Sequence, residues 1–275
     1  MIKNWLELAV QGGVSDIFVG AGRKITFKKN GVMVPQESDI LKPNDAEQLI
    51  TAIYEMANRP MTKYMEHGDD DFPVTIPGLA RFRVNTYRQR SSMAAIIRVV
   101  LFSIPDYKKL LIPDEVMRVA NEKRGLVLVT GPAGGGKTTT LACIIDAINR
   151  SRSCHVITLE DPIEYLHRDN HSLISQREIY TDTNSYNIAL RACLRQAPDI
   201  ILLGEMRDNE TIRTAITAAE TGHLVISTLH TVGAANTIDR MVDIFPPEQQ
   251  QQIRVQLSMV LRMVVSQCVH LTARD

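Results

Sequence analysis

The sequence reads Gly131-Pro132-Ala133-Gly134-Gly135-Gly136-Lys137-Thr138 near its middle. This stretch fits the pattern G-x-x-x-x-G-K-[ST] of phosphate-binding loops. An apolar run precedes it at 125–130 and a run with helical periodicity follows it at 139–150, which predicts a buried strand, the loop and a helix. Glycines allow backbone N–H groups to face a phosphate, and the helix N-terminus adds partial positive charge. The stretch therefore predicts a nucleotide-binding site.

Two side chains of this loop have predicted roles. Lys137 reaches the β- and γ-phosphates, and the Thr138 hydroxyl binds Mg²⁺. A glycine-rich turn that contains a lysine by chance is the alternative, and the agreement of pattern and flanking elements disfavours it. The predicted nucleotide-binding residues are Gly131, Pro132, Ala133, Gly134, Gly135, Gly136, Lys137, Thr138 and Thr139.

Composition excludes several classes of protein. The chain has 275 residues, of which 44% are hydrophobic, so it can bury the core of one large or two ordinary domains. Its 31 basic and 31 acidic residues cancel, which disfavours a nucleic-acid or anionic-membrane surface. No apolar run can span a bilayer, and the N-terminus is too polar for a signal peptide. The four cysteines, at 143, 154, 193 and 268, lack metal-site spacing and are interpreted as reduced core thiols.

The first hundred residues have the pattern of one α/β unit. Asn30-Gly31 lies within the stretch KITFKKNGVMV (24–34), which is a strong signal for a hairpin with a type I′ turn. The acidic run Asp69 to Asp71 is interpreted as a solvated loop. The predicted strands are 15–19, the two arms of the hairpin 24–34, 80–87 and 93–100, with helices at the N-terminus, after Pro43 and before Gly68. Residues 101–113 contain two prolines and no clear period, so they are the predicted linker that follows a domain at 1–100.

A second predicted domain, 114–275, alternates strands with helices, which is typical of a parallel sheet covered by helices. In its last helix an apolar stripe of Ile253, Leu257, Val260 and Val264 is interpreted as core. The predicted strands are 125–130, 155–159, 199–203 and 224–229, and the predicted helices are 139–150, 184–196, 208–220, 233–242 and 247–263.

Polar residues follow the predicted strands at the edge where an open parallel sheet binds its ligand. Glu205 follows one strand and is placed to hold Mg²⁺, whereas Glu160 follows another and is placed to orient or deprotonate water. His230 follows a third strand and can donate a hydrogen bond to the γ-phosphate. His223 lies at the opposite end of that strand, so an interfacial or structural role is equally compatible with the sequence. Three such clusters with one phosphate loop predict phosphoryl transfer to water.

Four stretches occur in a recognisable order: GPAGGGKTTT (131–140), ITLEDPIEY (157–165), PDIILLGEMRD (198–208) and TAAETGHLVISTLHT (217–231), preceded by ARFRVNTYRQR (80–90). Over nearly the whole chain the sequence resembles the ATPases of type II secretion and type IV pilus systems, in particular the PilT-type pilus retraction ATPases.

The resemblance implies an α/β fold with a RecA-like P-loop ATPase core behind an N-terminal PAS-like α/β domain. It further implies a cytoplasmic homo-hexamer that hydrolyses ATP with Mg²⁺. ATP hydrolysis by this ring would drive pilus retraction and so twitching motility. Such a ring lies at the inner face of the cytoplasmic membrane, has no transmembrane segment and acts through an inner-membrane pilus platform protein. Arg83 and Arg98 match the family's arginines that reach a neighbouring subunit's nucleotide; without the resemblance they would be interpreted as a solvated face.

The sequence also departs from the family pattern. Ala133 and Gly135 stand where Thr and Ser are more frequent, and Phe18 stands where a histidine is usual. No AIRNLIRE-like motif precedes Asp275, so we expect the family's C-terminal helical segment to be missing. The absence of a paired-cysteine zinc motif disfavours the alternatives of pilus extension and type II secretion. A nucleic-acid motor on the same core and a nucleotide-switch ring subunit that does not hydrolyse ATP are two further alternatives; the sequence predicts no nucleic-acid partner.

Overall fold

The computed structural model describes residues 2–100 and 104–268. Contacts between Cα atoms divide the chain into two compact units, Met1–Phe102 and Ser103–Asp275. Among the described residues, no helix is both long and apolar enough to cross a bilayer.

Within residues 2–100, six antiparallel strands form one sheet in the order β3-β2-β1-β6-β5-β4. The hairpin turns at Asn30 and Gly31, whose φ angles of 50° and 80° are those of the predicted turn type. The elements are α1 (Ile2–Gln11), β1 (Asp16–Gly20), β2 (Thr26–Lys29), β3 (Val32–Pro35), α2 (Pro43–Met56), α3 (Thr62–His67), β4 (Asp69–Ile76), β5 (Ala80–Gln89) and β6 (Ser92–Val100).

The acidic run before β5 is a strand, so its interpretation as a solvated loop is wrong. Asp69 to Asp71 open β4 and pair with the end of β5. Asp70 faces inward and is buried, because Arg59 donates hydrogen bonds to both of its carboxylate oxygens at 2.9 Å. Pairing with a cation allows a carboxylate to lie in a core, which composition alone cannot indicate.

Within residues 104–268, six parallel strands form a second sheet in the order β12-β7-β11-β10-β8-β9. Strands β7, β10 and β11 are buried along their whole length, because helices cover both faces of the sheet. The elements are α4 (Asp114–Met117), a 3₁₀ turn (Arg118–Asn121), β7 (Gly125–Thr130), α5 (Lys137–Ser151), β8 (His155–Glu160), β9 (Leu173–Glu178), α6 (Tyr186–Cys193), β10 (Ile200–Leu203), α7 (Asn209–Glu220), β11 (Leu224–Leu229), α8 (Ala234–Asp243), α9 (Pro247–Val260) and β12 (Leu261–Ser266).

Two strands of this sheet have no counterpart in the sequence-based prediction. Strand β9 extends the sheet beyond β8, and β12 occupies the opposite edge beside β7. The predicted helix 247–263 ends at Val260, so Ile253, Leu257 and Val260 are core residues of α9 whereas Val264 belongs to β12. The chain changes from helix to strand at Leu261, with backbone angles of −67° and 121°.

The predicted linker, 101–113, lies partly outside the described part of the chain, because its residues 101–103 are not described. The described remainder packs on α5, where the Cys143 thiol donates a hydrogen bond to the carbonyl of Pro105 at 3.3 Å. Burial raises the pKa of Cys143 to about 11, so this thiol stays protonated at neutral pH. Cys193 is also buried, but Cys268 is exposed, so its interpretation as a core thiol is wrong.

Candidate functional site

A cavity of about 270 Å³ lies at the carboxyl edge of the parallel sheet, where β7, β8, β10 and β11 end. That edge is where open parallel sheets bind ligands. The cavity is lined by these residues of the predicted site: Ala133, Gly134, Lys137, Thr138, Glu160, Glu205 and His230.

The lysine of the phosphate loop binds carbonyl groups of the same loop. Lys137 begins α5, and its Nζ atom donates hydrogen bonds to the carbonyls of Gly131 and Pro132, both at 2.9 Å. Burial lowers the pKa of Lys137, and the charges of Glu205 and Glu164 oppose that shift. The amine therefore lies folded back against the loop, within a site that can present it to a phosphate.

The two threonines that open α5 have different surroundings. Thr138 lines the cavity, whereas the hydroxyl of Thr139 lies 3.0 Å from the hydroxyl of Tyr165. Of these two threonines, Thr138 is the one that lines the ligand space, and its role as the Mg²⁺-binding residue stays a prediction of the loop pattern.

Glu160 is the last residue of β8 and is 9% exposed. Its Oε1 atom accepts hydrogen bonds from the Thr158 hydroxyl at 2.6 Å and from the Gln176 amide at 3.1 Å. Burial raises the pKa of Glu160 to about 7, although the two hydrogen bonds oppose the shift. A carboxylate that titrates near neutrality is suited to accept a proton from water.

Glu205 follows β10 after one glycine and contacts two basic side chains. Its Oε2 atom lies 2.7 Å from Nε of Arg207 and 3.5 Å from Nε2 of His230. Arg207 does not cap the helix that follows it, because the side chain that caps α7 is Asp208, which accepts a hydrogen bond from the Thr211 amide at 2.8 Å. Arg207 instead lines the cavity, so a second cationic side chain reaches this site from within the same unit.

The two histidines of the β11 region lie at opposite ends of the strand. His230 follows β11 at the cavity, whereas His223 precedes it and lies with Nδ1 2.9 Å from the carbonyl of Ala218. His223 thus makes a local contact at the end of α7, away from the carboxyl edge.

The predicted arginines lie in the N-terminal unit, on neighbouring strands. Arg83 and Arg98 are directly opposite each other in the pairing of β5 with β6. Arg83 binds Asp71 through Nε at 3.0 Å, and Arg98 binds Asp16 through Nε at 2.9 Å. Arg98 is well exposed and Arg83 is partly exposed, and the two side chains share one face of the sheet.

Three residues that line the cavity or contact its side chains were not predicted. The Tyr186 hydroxyl fills the space beside Gly204, 2.7 Å from where a β-carbon would lie. Gln176 lies on β9, a strand that the sequence did not predict, so its contact with Glu160 could not be predicted either. Thr158 precedes Glu160 by two residues, and strand alternation alone would have placed both side chains on one face.

The donor set fits Mg²⁺ bound together with phosphates. In the described residues, no group of three or more His, Cys, Asp or Glu side chains could form a complete metal cage. Mg²⁺ in nucleotide sites is held by one or two protein oxygens together with substrate phosphates and water. Thr138 and Glu205 both line the cavity and both carry oxygen donors, so they fit that requirement.

Comparisons with known proteins agree with this geometry. The sequence profile of a family described as "Type II/IV secretion system protein" matches residues 1–274. The chain is 43% identical over 267 residues to the type IV pilus retraction ATPase PilT of Pseudomonas aeruginosa, covering 97% of this chain and 77% of that protein. It is 45% identical over 223 residues to a twitching motility protein of Neisseria gonorrhoeae, covering 81% of this chain and 60% of that protein.

A solved structure shows the same likeness in three dimensions. The crystal structure of the pilus retraction motor PilT with bound ADP superposes with a TM-score of 0.88 at 46% identity, covering 94% of this chain and 76% of that one. The predicted α/β fold class with a parallel-sheet ATPase core is thereby confirmed. This chain therefore belongs to the type II/IV secretion system protein family.

Proposed function

We propose that this chain is the subunit of a homo-hexameric motor that hydrolyses ATP to drive retraction of a type IV pilus. The observation that carries the proposal is the cavity that brings Lys137, Thr138, Glu160, Glu205 and His230 to one edge of a parallel sheet. PilT of P. aeruginosa, a relative at 43% identity, is named as a pilus retraction ATPase.

Glu160 is the proposed general base for the attacking water. Both of its hydrogen bonds end on Oε1, so we assign Oε2 to the water. With a pKa of about 7, the carboxylate is partly ionised at neutral pH and remains basic enough to accept a proton.

Thr138 and Glu205 are the proposed Mg²⁺ ligands, and Lys137 contacts the β- and γ-phosphates. When bound, Mg²⁺ neutralises charge on the phosphate oxygens. His230 lies beside Glu205. A hydrogen bond from His230 to the γ-phosphate would therefore couple the presence of that phosphate to the carboxylate that binds the metal. Gly131 to Thr139 provide the loop and helix start that hold the phosphates.

Arg83 and Arg98 are proposed to act on the nucleotide of a neighbouring subunit. The pair of Arg83 with Asp71 is about half exposed, and such a pair contributes about 1 kcal/mol or less, so a nucleotide phosphate can replace Asp71 as the partner of Arg83. Arg98 is itself well exposed and open to a phosphate, although its partner Asp16 is buried. We place the ring in the cytoplasm at the inner face of the cytoplasmic membrane, against an inner-membrane pilus platform protein and with no nucleic-acid partner.

ATPase activity measured against protein concentration, with mass measured on the same samples, tests this proposal. We expect specific activity to rise with the fraction of hexamer and to be abolished by Lys137→Ala, which should keep the wild-type far-ultraviolet circular dichroism. Near-normal activity of Lys137→Ala would show that the phosphate loop has been misassigned. Stimulation of wild-type activity by DNA would favour a nucleic-acid motor, and nucleotide binding without turnover would favour a switch subunit.

The direction of pilus movement requires a cellular measurement. Pili are counted on piliated cells whose own copy of this gene carries Lys137→Ala. A retraction motor leaves such cells with more and longer pili, because extension continues unopposed. Loss of pili would instead assign the chain to extension, and a defect confined to protein export would assign it to type II secretion.

A further inference from the structure

Ser266, the last residue of β12, and Gln267, which follows it, contact the loop after His230 and the phosphate loop. The Gln267 side-chain amide donates a hydrogen bond to the carbonyl of Gly135, and its backbone N–H donates to the carbonyl of Thr130 at 2.9 Å. The neighbouring Ser266 hydroxyl accepts a hydrogen bond from the Gly233 amide at 2.9 Å. Strand β12 thus ends between two loops of the cavity edge.

The contact between Gln267 and the phosphate loop is a close one. A β-carbon built on Gly131 would overlap the backbone carbonyl of Gln267, and Gly131 has a φ of 146°, which favours glycine. Gly135 lies on the same side, with its β-carbon position 3.6 Å from that carbonyl. The loop therefore rests directly against the backbone of residue 267.

Lys137 and Gln267 support the loop in different ways. Lys137 holds the carbonyls of Gly131 and Pro132 while its amine is folded back. A bound phosphate competes with these two carbonyls for the three N–H donors of the amine. The Gln267 amide binds the opposite end of the loop, at Gly135, and its contact does not have to break.

We propose that Gln267 is a positioning residue that keeps the phosphate loop in its nucleotide-binding shape when Lys137 turns to the phosphates. The proposal rests on the nucleotide site of the proposed function and extends it to a residue outside the loop. Without the Gln267 amide, the loop must be ordered by the nucleotide itself, and that ordering is subtracted from the binding free energy.

The expected effect is on affinity. Gln267→Met keeps the length of the side chain and removes its donor, so we expect the dissociation constants of ADP and ATP to rise about tenfold together, with kcat at saturating ATP within about twofold. Both nucleotides are affected equally because the contact is made with the loop and not with the γ-phosphate. The matched control is Gln256→Met, which removes a partly exposed glutamine of α9 that binds Glu220.

The experiment uses the full chain and titration calorimetry with ADP, together with steady-state ATPase kinetics and the thermal midpoint without nucleotide. The proposal requires weaker ADP binding by Gln267→Met, an unchanged thermal midpoint and no change in Gln256→Met. ADP affinity within twofold of wild type, or a loss confined to kcat, would overturn it.

A second measurement keeps the test decisive if Gln267→Met folds poorly. Gln267→Glu keeps the shape of the side chain and replaces the donor with a carboxylate, so it must also weaken ADP binding, or the proposal is wrong. Lys137→Ala separates this test from that of the proposed function. If wild type binds ADP, Lys137→Ala does not and Gln267→Met does, the role of Gln267 alone is refuted.

Discussion

Glu160 combines burial with a position at the end of β8, and burial raises its pKa to about 7. A base must be ionised, so we expect kcat to rise about tenfold per pH unit below 7 and to level off above it. Glu160→Gln should bind ATP, lower kcat by about 10²–10⁴-fold and abolish this pH limb. Wild-type turnover by Glu160→Gln would exclude Glu160 as the base.

The same shift predicts a stability effect with a defined sign. The folded protein holds the Glu160 proton more tightly than the unfolded chain, so this contribution to stability is present below the ordinary pKa of about 4.3 and is lost as pH rises toward 7. The Glu160→Gln side chain carries no charge at any pH. The thermal midpoint of this variant minus that of wild type, measured by calorimetry, should therefore be larger at pH 8 than at pH 5. An equal difference at both pH values would contradict the raised pKa.

Glu205 should respond differently from Glu160, because it binds Arg207 and faces His230 at the proposed metal position. We expect Glu205→Ala to weaken Mg²⁺-dependent ATP binding and turnover together, measured by titrating Mg²⁺ at fixed ATP. Glu248→Gln, an exposed substitution on α9, is the control. If Glu205→Gln traps bound ATP while Glu160→Gln turns over normally, the two roles must be exchanged.

At the scale of elements, β4 depends on one buried carboxylate. Burial alone would raise the pKa of Asp70, but the hydrogen bonds and charge of Arg59, together with the charge of Lys63, outweigh it and lower that pKa. Removing one partner of such a pair leaves the other unpaired, so Asp70→Asn should lower the free energy of unfolding by about 2–4 kcal/mol.

The adjacent residue supplies the control for Asp70. Asp71 forms a half-exposed pair with Arg83, so Asp71→Asn should cost about 1 kcal/mol or less in the same urea titration. The contribution of Asp70 is complete above the ordinary aspartate pKa of about 4 and is lost as pH falls through its lowered folded-state value. Equal costs for the two variants at pH 7 would argue against a buried Asp70 pair.

Four of the six described strands of the core sheet could be predicted because each is a continuous apolar run between polar ends. Strand β9 could not, because its sequence LISQRE is only partly buried at a sheet edge. Strand β12 could not, because its apolar residues continue the helical spacing of α9 and neither glycine nor proline separates them. Pairing with β7 decides the conformation there, and that is a tertiary contact.

The site shows the same division. Glu160, Glu205 and His230 were predicted because each directly follows a recognisable strand. Gln176 lies on β9 and Gln267 follows β12. Because neither strand was predicted, the contacts of these two residues could not be predicted either.

At the scale of the whole molecule, we predict that activity is shared between subunits. The reason is that Arg83 and Arg98 lie in one unit and the phosphate loop in the other, and γ-phosphate cleavage gains from a cation beyond Lys137 and Mg²⁺. A subunit with Arg83→Ala and Arg98→Ala and a subunit with Lys137→Ala should each be inactive alone. Mixed under conditions that exchange subunits, they should regain part of the ATPase activity.

Arg207 is the internal competitor for that cationic role, because it lines the cavity beside Glu205. Arg207→Ala in an otherwise native chain should therefore lower kcat less than the paired substitution of Arg83 and Arg98. No recovery in rings shown by mass to be mixed, or full activity of a monomer, would refute the sharing of sites.

Strand β12 lies beside β7 although more than a hundred residues separate them in sequence. During synthesis on the ribosome, β7 and the phosphate loop emerge long before residues 261–267. The edge of β7 that pairs with β12 stays uncovered until those residues have been made. Until then, β7 presents an apolar edge that can pair with other chains. The nascent polypeptide should therefore acquire nucleotide affinity late, and in the interval it depends on chaperones or on rapid elongation to avoid aggregation.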